Sequence, residues 1–494
     1  MFRFWKRANI GTAHEEIEPR KNSVLSLDAL KLLLANMHDA EIIERQTNVD
    51  QKVTLLYIRT LIDQERLNDT IVKPLNHCTY DTVYECIQNS KVFAVATLEE
   101  AVKLLLQGSV LIYDAFRNHW WAVLLANPLS RAIESSETET IIYGPKDSFS
   151  EQLDQNITMI RRRIPITELK TEQYTVGYLS KTSIVLMYID GLTNPEFVSI
   201  ARDKLSNIDF DLILESSNLT AFMDDHMHSV FPQYLQTDRP DACAYSLGLG
   251  KLLFLVDNTP FAIVAPITFF HLFQSPEDYI NRWIVASFFR CIRYVSFLIS
   301  VVLIPVYVAL ATHHYQMIPL QILFVLLESR SKLPFTPFWE AFLMLITLEI
   351  IKEASLRMPS KSGQTLGVIG GIVIGQAAVE AGFASKVLIV LVGISSIASF
   401  LVPNYLVTKS NTIIQFVFLV LSSFLGMIGI AIGMIGVLAH LNALSSLKQP
   451  YFAPVAPFYW KDWIDTFIRG PLAWMKARPE SLYPLDKLRY KRRR

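Results

Sequence analysis

Cysteine is scarce in this chain of 494 residues, which contains only four. No two of them stand in a C-x-x-C pattern or at the spacing of a zinc site. These facts exclude a disulfide-rich secreted scaffold and a thiolate metal centre. The sequence therefore predicts buried or free thiols in a reducing compartment. The four residues are Cys78, Cys86, Cys243 and Cys291.

Charged residues are nearly missing from residues 286–447. This segment of 162 residues carries 14 of the 92 charged residues, whereas 63 lie in residues 1–285 and 15 in residues 448–494. An apolar segment of this length is typical of a membrane domain rather than of a soluble core. Residues 1–21 hold no apolar run of the kind that a secretory signal needs, so we expect the N-terminal region to stay in the cytoplasm.

Motifs of catalysis and metal binding are missing as well. No nucleophile elbow, no HExxH and no paired Cys or His set is found. The Asp-Asp-His-Met-His run at 224–228 is more typical of a polar loop than of a metal site. The glycines before Leu252 lack the Gly at 245 and the Ser or Thr at 252 that a phosphate loop needs. We therefore expect no enzyme, no metal and no cofactor.

Two similar α/β subdomains are predicted, roughly at 22–130 and 131–272, after an N-terminal extension. Each ends in two apolar runs around a polar turn, at 110–126 and at 250–266, which is the pattern of a strand hairpin. Ser26 can cap a helix near the start of the first subdomain. Further predicted elements are a strand near 54–62, a helix at 148–164, a buried strand at 182–189 and an amphipathic helix at 194–208.

A helical transmembrane domain with about four crossings is predicted for residues 273–447. Arg282, Arg290 and Arg293 precede the uncharged stretch 294–312, which places the start of that span on the cytoplasmic side. Residues 387–406 form another plausible span. Residues 411–447 are too long for one crossing and must protrude, kink or turn back. Both flanks are basic, so an even number of crossings fits, with short amphipathic helices that do not cross.

The C-terminal residues 448–494 form a basic tail with eleven Lys or Arg residues against four acids. Its tryptophans stand beside basic residues over 461–479, which predicts an interfacial helix. A basic run beside a membrane is more often an orientation and lipid-contact signal than a nucleic-acid site. We expect membrane lipids as partners and no nucleic acid.

Charges inside the predicted membrane domain are the candidate site. Glu349, Lys352 and Glu353 share one face of a helix, while Glu340 lies on roughly the opposite side. Such a helix either lies in the headgroup region or lines an aqueous path for cations or a subunit contact, and the residues of this helix favour neither interpretation. Gln376 and Glu380 follow in a glycine-rich stretch, facing a cavity or lying at the membrane surface. Glycines expected at helix packing or oligomer contacts are Gly367, Gly371, Gly375, Gly426, Gly429 and Gly433.

Several long motifs occur in a fixed order along the chain. They include Gly-Pro-Lys-Asp at 144–147, the triple arginine at 161–163, Tyr-Ile-Asp-Gly-Leu-Thr-Asn-Pro at 188–195 and Val-Asp-Asn-Thr-Pro-Phe at 256–261. Gly-Gln-Ala-Ala-Val-Glu-Ala-Gly follows at 375–382. In this order they resemble the A subunit of the GerA-type spore germinant receptors over about residues 22–490.

The resemblance implies a subunit of a nutrient receptor in the spore inner membrane. It implies a transporter-like B subunit, a C lipoprotein and further copies of the chain as partners, and an oligomer that forms or gates a path for monovalent cations. The N-terminal region and the tail would face the spore core. A non-conducting scaffold, or a paralogue acting in spore ion release without B and C subunits, are the alternatives. The chain departs from the family pattern at Gln316, Leu345 and Lys352.

Overall fold

The computed structural model describes residues 25–46, 52–78, 83–87, 92–127, 139, 143–331, 333–357 and 375–489. The chain divides into two compact units. The first comprises Met1–Ser130 and Arg161–Thr171, and the second comprises Arg131–Ile160 and Glu172–Arg494. Each unit contains one five-stranded sheet, which confirms the prediction of two α/β subdomains.

The first unit contains an antiparallel sheet with strand order β1-β2-β4-β5-β3. The hairpin predicted at 110–126 is confirmed as β4 and β5. The strands are Ala40–Gln46 (β1), Lys52–Ile58 (β2), Val92–Val95 (β3), Ser109–Asp114 (β4) and His119–Leu124 (β5), and the helices are Leu27–Leu33 (α1), Gln64–Leu67 (α2), Lys73–Asn76 (α3), Val83–Cys86 (α4) and Leu98–Leu106 (α5).

Helices cover both faces of this sheet, and β2 shows why. Its side chains alternate between two apolar clusters, with Leu55 in the cluster that contains the α3 residue Leu75 and Leu56 in the one that contains Leu30 of α1 and Leu105 of α5. The strand is therefore apolar at nearly every position, as expected for a sheet that is buried on both faces. Ser26 caps α1 by accepting from the amide of Ala29, as predicted.

Two of the cysteines differ from the sequence prediction. Cys78 and Cys86 form a disulfide in the first unit, with their Cα atoms 5.5 Å apart. The expectation of free or buried thiols is wrong for this pair, because α3 and α4 bring both residues into the same buried cluster. Cys243 is a buried thiol and Cys291 an exposed one, as expected.

The second sheet repeats the first, with strand order β6-β7-β9-β10-β8. Counted within each sheet, the order is the same, which supports two similar subdomains. The hairpin predicted at 250–266 is confirmed as β9 and β10. The strands are Leu169–Val176 (β6), Thr182–Ile189 (β7), Leu235–Thr237 (β8), Leu252–Val256 (β9) and Ala262–Ala265 (β10), and the helices are Leu153–Arg163 (α6), Pro195–Ser206 (α7), Ser216–Met223 (α8) and Pro240–Gly248 (α9).

The rest of the second unit is mainly helical. Residues 375–380 are also helical, whereas 358–374 lie outside the described residues. The helices are Glu277–Ile280 (α10), Trp283–Thr312 (α11), Leu320–Arg330 (α12), Pro337–Leu356 (α13), Lys386–Phe400 (α14), Tyr405–Leu425 (α15), Met427–Ala443 (α16) and Trp463–Thr466 (α17).

Two helices of the described residues are long and apolar enough to cross a membrane, namely α11 and α15. The apolar helices α14 and α16 are shorter than the usual crossing length. Four crossings therefore stay a prediction. The helix expected at 387–406 ends earlier, at Phe400, because Pro403 follows the end of α14 and Asn404 caps α15 by accepting from the amide of Val407 at 3.2 Å.

The long apolar stretch 411–447 turns back on itself at Gly426. This residue has φ of 61°, a left-handed conformation that favours glycine, and it separates α15 from α16. A Cβ atom at Gly429 would lie 2.2 Å from the carbonyl oxygen of Leu421, and one at Gly433 would lie 2.6 Å from the ring of Phe418. Gly429 faces Leu421 and Gly433 faces Phe418, so residues further along α16 meet residues earlier in α15. This is the contact order of an antiparallel helical hairpin that packs closely through glycine.

The tail differs from its prediction. Instead of an interfacial helix over 461–479, it holds a 3₁₀ turn at Trp460–Asp462, the four-residue helix α17 and a second turn at Glu480–Leu482. Gly470 and Pro471 explain the difference, since both residues interrupt a helix at this point. The aromatic and basic residues are there, but without a continuous helix they do not line up on one face.

Candidate functional site

Three of the predicted site residues lie together on α13. Glu349 Oε2 is 3.7 Å from Lys352 Nζ, and Glu353 lies one residue further along the same face. The helical period places them there, because residues three and four apart are neighbours on a helix surface. Lys352 also reaches α14, where its Nζ donates to Ser399 Oγ at 3.4 Å and lies 5.4 Å from the ring centre of Phe400.

Lys409 of α15 completes this cluster and was missed by sequence reasoning. Its Nζ lies 2.9 Å from Glu353 Oε2 and 3.7 Å from Glu349 Oε1. It is 56 residues from Glu353 in the chain, so only the packing of α15 against α13 brings the two together. The one available signal was that Lys409 is the only charged residue between 387 and 447.

The cluster joins α13 to α15 through alternating charges, and Lys352 extends it to α14 through Ser399 and Phe400. Arg357, at the end of α13, adds a third cation 3.1 Å from Glu353 Oε1. The two carboxylates thus face three cations, which gives the cluster a formal charge of +1 rather than the negative charge expected of an open cation site. Side-chain exposure of 27% for Glu349 and 47% for Glu353 leaves both carboxylates partly accessible. We call Glu349, Lys352, Glu353, Arg357 and Lys409 the charge cluster.

Glu340 is not part of the charge cluster. Its side chain is fully buried, and its Oε1 accepts from the amide of Ser385 at 2.5 Å, at the start of α14. Oε2 lies 3.5 Å from Arg330 Nε. A carboxylate is favoured at a helix N-terminus because it accepts from unpaired amides and faces the positive end of the dipole. Glu340 therefore fixes the position of α14 relative to α13.

The remaining predicted polar residues lie on the exposed surface. Gln376 Nε2 donates to Glu380 Oε1 at 3.0 Å, and both side chains are exposed. Among the described residues, no hydrogen bond or salt bridge joins this pair to the charge cluster. Gly375 packs beside α14, where a Cβ atom added at this glycine would lie 3.7 Å from the side chain of Ile389. Gly367 and Gly371 lie outside the described residues.

A buried ion network fixes the start of α11. Asp278 Oδ2 lies 3.0 Å from Arg290 Nη2 and 2.8 Å from Arg293 Nη1. Arg290 also donates to the carbonyl oxygen of Asp465 in the tail. Two of the basic residues expected at the membrane surface are therefore structural, and they join the first long apolar helix to the tail.

The polar run at 224–228 makes hydrogen bonds and a salt bridge within the fold. Asp225 forms a salt bridge with Lys204 at 2.5 Å, and Gln233 Oε1 accepts from the amides of Asp225 and His226. Across the residues that the structure describes, no group of three or more His, Cys, Asp and Glu side chains is placed to hold a metal ion. The polar-loop interpretation of this run fits these contacts.

Comparison with known proteins gives a consistent assignment. A family model described as the Bacillus/Clostridium GerA spore germination protein matches residues 28–481. The chain is 36% identical to the spore germination protein GerQA of Bacillus cereus, over 93% of this chain and 92% of that protein. It is 33% identical to the spore germination protein KA of Bacillus subtilis (strain 168), over 91% of this chain and 85% of that protein.

A solved structure is also similar in part. The N-terminal domain of the A subunit of the Bacillus megaterium spore germinant receptor GerK3 aligns with 51% of this chain and 99% of its own length, at 26% identity and a TM-score of 0.39. The extent of the family match and the identities to relatives along nearly their whole length lead to one conclusion. The chain belongs to the GerA family of spore germination proteins.

Proposed function

We propose that this chain is the A subunit of a nutrient germinant receptor in the spore inner membrane, where it forms or gates a release path for monovalent cations. One observation carries the proposal: the charge cluster lies among apolar helices of a chain from a spore germination family. Partly accessible carboxylates in such surroundings are expensive unless they serve an aqueous path or a partner. No enzymatic step is part of this proposal.

The ion pairs of the charge cluster describe a closed state. Lys409 pairs with Glu353 Oε2 and lies near Glu349 Oε1, while Arg357 and Lys352 face the other oxygen of each carboxylate, so both acids are already paired with cations of the chain. Movement of α15 away from α13 would separate Lys409 from both acids. Glu349 Oε1 and Glu353 Oε2 would then be released, while Lys352 and Arg357 keep the other oxygens, and the released oxygens would face cations, as rings of acidic side chains do in cation channels. One chain supplies two carboxylates, so a path around an axis requires several copies.

Topology and partners complete the proposal. The helices α11, α14, α15 and α16 provide the four crossings, with both α/β subdomains and the basic tail on the spore-core side. B-type and C-type receptor subunits bind the assembly and pass the nutrient signal to it. Gly426, Gly429 and Gly433 serve the packing of the hairpin within one chain.

A non-conducting scaffold is the second candidate function, and one observation favours it. Each carboxylate of the charge cluster has a cationic partner within 4 Å, which is also the design of a helix-to-helix lock. In that case the cluster would hold α13 and α15 together during signalling, and another protein would conduct the ions.

The test is potassium release from nutrient-triggered spores that carry Glu353→Gln, with the levels of all receptor subunits checked by blot. We expect normal levels and an altered release rate or K⁺/Na⁺ preference. Glu328→Gln is the matched control, since Glu328 is an exposed acid on α12 outside the charge cluster. Normal levels with unchanged release in Glu353→Gln would remove this residue from the ion path and favour the scaffold.

A further inference from the structure

A cavity lies where the second α/β subdomain meets the start of α15. It has a volume of about 260 Å³ and is lined by side chains from α8, by Asp224 directly after it, by residues 229–236 and by the first turns of α15. Ser410 Oγ of α15 donates to the carbonyl of Val230, and Ser229 Oγ lies 3.0 Å from His440 Nε2 of α16. The cavity is thus fixed to the end of the helical hairpin that adjoins the α/β subdomain.

The subdomain side of the cavity carries an acid without a direct partner. Within the part of the chain that the structure describes, no hydrogen bond reaches the carboxylate of Asp224. The neighbouring Asp225 instead takes the salt bridge with Lys204 and accepts from Ser445 Oγ at 2.8 Å. Burial raises the pKa of Asp224 to about 6, against the opposing effect of Lys204. A cationic group in the cavity would stabilise the ionised form of this carboxylate.

The helix side of the cavity carries the opposite charge and an apolar surface. Lys409 lines it, and an ammonium has three N–H donors, of which Glu353 takes one at 2.9 Å. Leu406 and Ile413, one turn before and after, are 39% and 52% exposed. The cavity therefore offers a carboxylate, an ammonium and an adjoining apolar strip on a helix long enough to cross a membrane.

We propose that this cavity binds the zwitterionic headgroup of a phosphatidylethanolamine-type lipid. The lipid ammonium donates to Asp224, the phosphate accepts from Lys409, and the acyl chains lie along Leu406 and Ile413. The inference rests on the membrane placement in the proposed function. A primary ammonium fits better than a choline group, because a quaternary ammonium has no N–H to donate to a carboxylate. The bound phosphate would share Lys409 with the charge cluster, so the lipid would bias the ion pairs there.

The experiment uses the full chain, reconstituted into bilayers that contain equal parts of dioleoyl phosphatidylethanolamine, phosphatidylcholine and phosphatidylglycerol. Lipids that stay bound after mild detergent extraction are counted by mass spectrometry. We expect retained phosphatidylethanolamine on the unmodified chain and about ten-fold less on Asp224→Asn, because one charge-assisted hydrogen bond is lost. Asp224→Glu, which keeps the charge, should retain the lipid. Asp209→Asn is the matched control, an exposed acid of the same subdomain.

The outcomes distinguish a lipid headgroup from a soluble phosphoethanolamine as the bound molecule. Equal retention on Asp224→Asn and the unmodified chain, or equal loss on Asp209→Asn, would overturn the proposal. Soluble O-phosphoethanolamine that protects the chain against thermal unfolding, without any enrichment of the lipid, would overturn the lipid as the source. A chain that enters the bilayer without lipid preference contradicts this inference alone. A chain that does not enter the bilayer contradicts the proposed function as well.

Discussion

Replacing Arg161 with Met should destabilise the first unit severely. The Asp39 carboxylate is fully buried and accepts from Arg161 Nε and, at 2.5 Å, from Arg161 Nη2. Thr171 Oγ1 and Thr60 Oγ1 also donate to it, at 2.8 Å and 2.9 Å. Without Arg161 the carboxylate keeps two neutral donors but loses its only countercharge. Removal of one partner of a buried ion pair costs about 3–5 kcal/mol.

The pH dependence gives the same prediction a second readout. Burial alone would raise the pKa of Asp39, but the charge and hydrogen bonds of Arg161 outweigh it and hold the pKa below its ordinary value. In the unmodified chain, the ionised Asp39 therefore contributes fully to the free energy of unfolding when the pH is above the pKa of the unfolded state. This contribution is lost as the pH falls through the lower pKa of the folded state. In Arg161→Met the effect of burial is no longer opposed by Arg161, so the pKa of Asp39 rises above its ordinary value. The free energy of unfolding should then increase on mild acidification, because the folded state takes up a proton first.

Hydrogen exchange of the β2 and β4 amides, followed by mass spectrometry at pH 7, measures the effect locally in the full chain. A loss of about 3 kcal/mol speeds globally protected amides by roughly a hundred-fold. Lys103→Met is the matched control, because Lys103 is an exposed cation on α5 in the same unit. Exchange within a factor of about two of the unmodified chain in Arg161→Met would refute the reasoning.

Three further predictions follow from single contacts. Gly429→Ala should lower the Tm of the chain in detergent, because the added Cβ would meet the backbone of Leu421. Gly436→Ala is the control, since nothing lies within 4 Å of its Cβ position. Equal Tm values for the two variants would contradict the packed hairpin. Glu340→Leu should speed proteolysis at the start of α14, by leaving the Ser385 amide without its acceptor; unchanged cleavage would argue against the capping role. Burial lowers the pKa of Lys251 to about 7. Between pH 7 and 9 the unfolded chain therefore binds more protons than the folded chain, so the free energy of unfolding should rise with pH, and this rise should vanish in Lys251→Met. Thermal melts in which Tm changes with pH by the same amount in both proteins would contradict it.

Local patterns predicted much of the α/β fold. The strand hairpins, the cap at Ser26 and the helix after Asn194 follow from alternation, turn residues and capping chemistry, all of which act over a few residues. The boundary between α14 and α15 was missed, although Pro403 and Asn404 are strong local signals, because the apolar run continues across them.

The candidate site shows where sequence reasoning ends. Helical periodicity correctly groups Glu349, Lys352 and Glu353, since they share one helix face. It cannot tell that Lys409 packs against that face, because the contact depends on how two helices lie together. Periodicity also separates Glu340 from these residues, and in the structure its carboxylate accepts from the amide of Ser385 at the start of α14; a role of Glu340 in an ion path stays a prediction. Leu345 lies buried in an apolar cluster, where a charge would be costly.

The most direct test of the ion path is potassium efflux from liposomes that contain the purified chain. The unmodified chain should show a low basal efflux, and Lys409→Gln should raise it several-fold, because Glu349 Oε1 and Glu353 Oε2 lose the cation that they share. Adding Glu353→Gln to Lys409→Gln should bring the efflux back toward the basal level. Efflux equal to that of empty liposomes in all variants, with the chain inserted and folded, would contradict conduction by this chain.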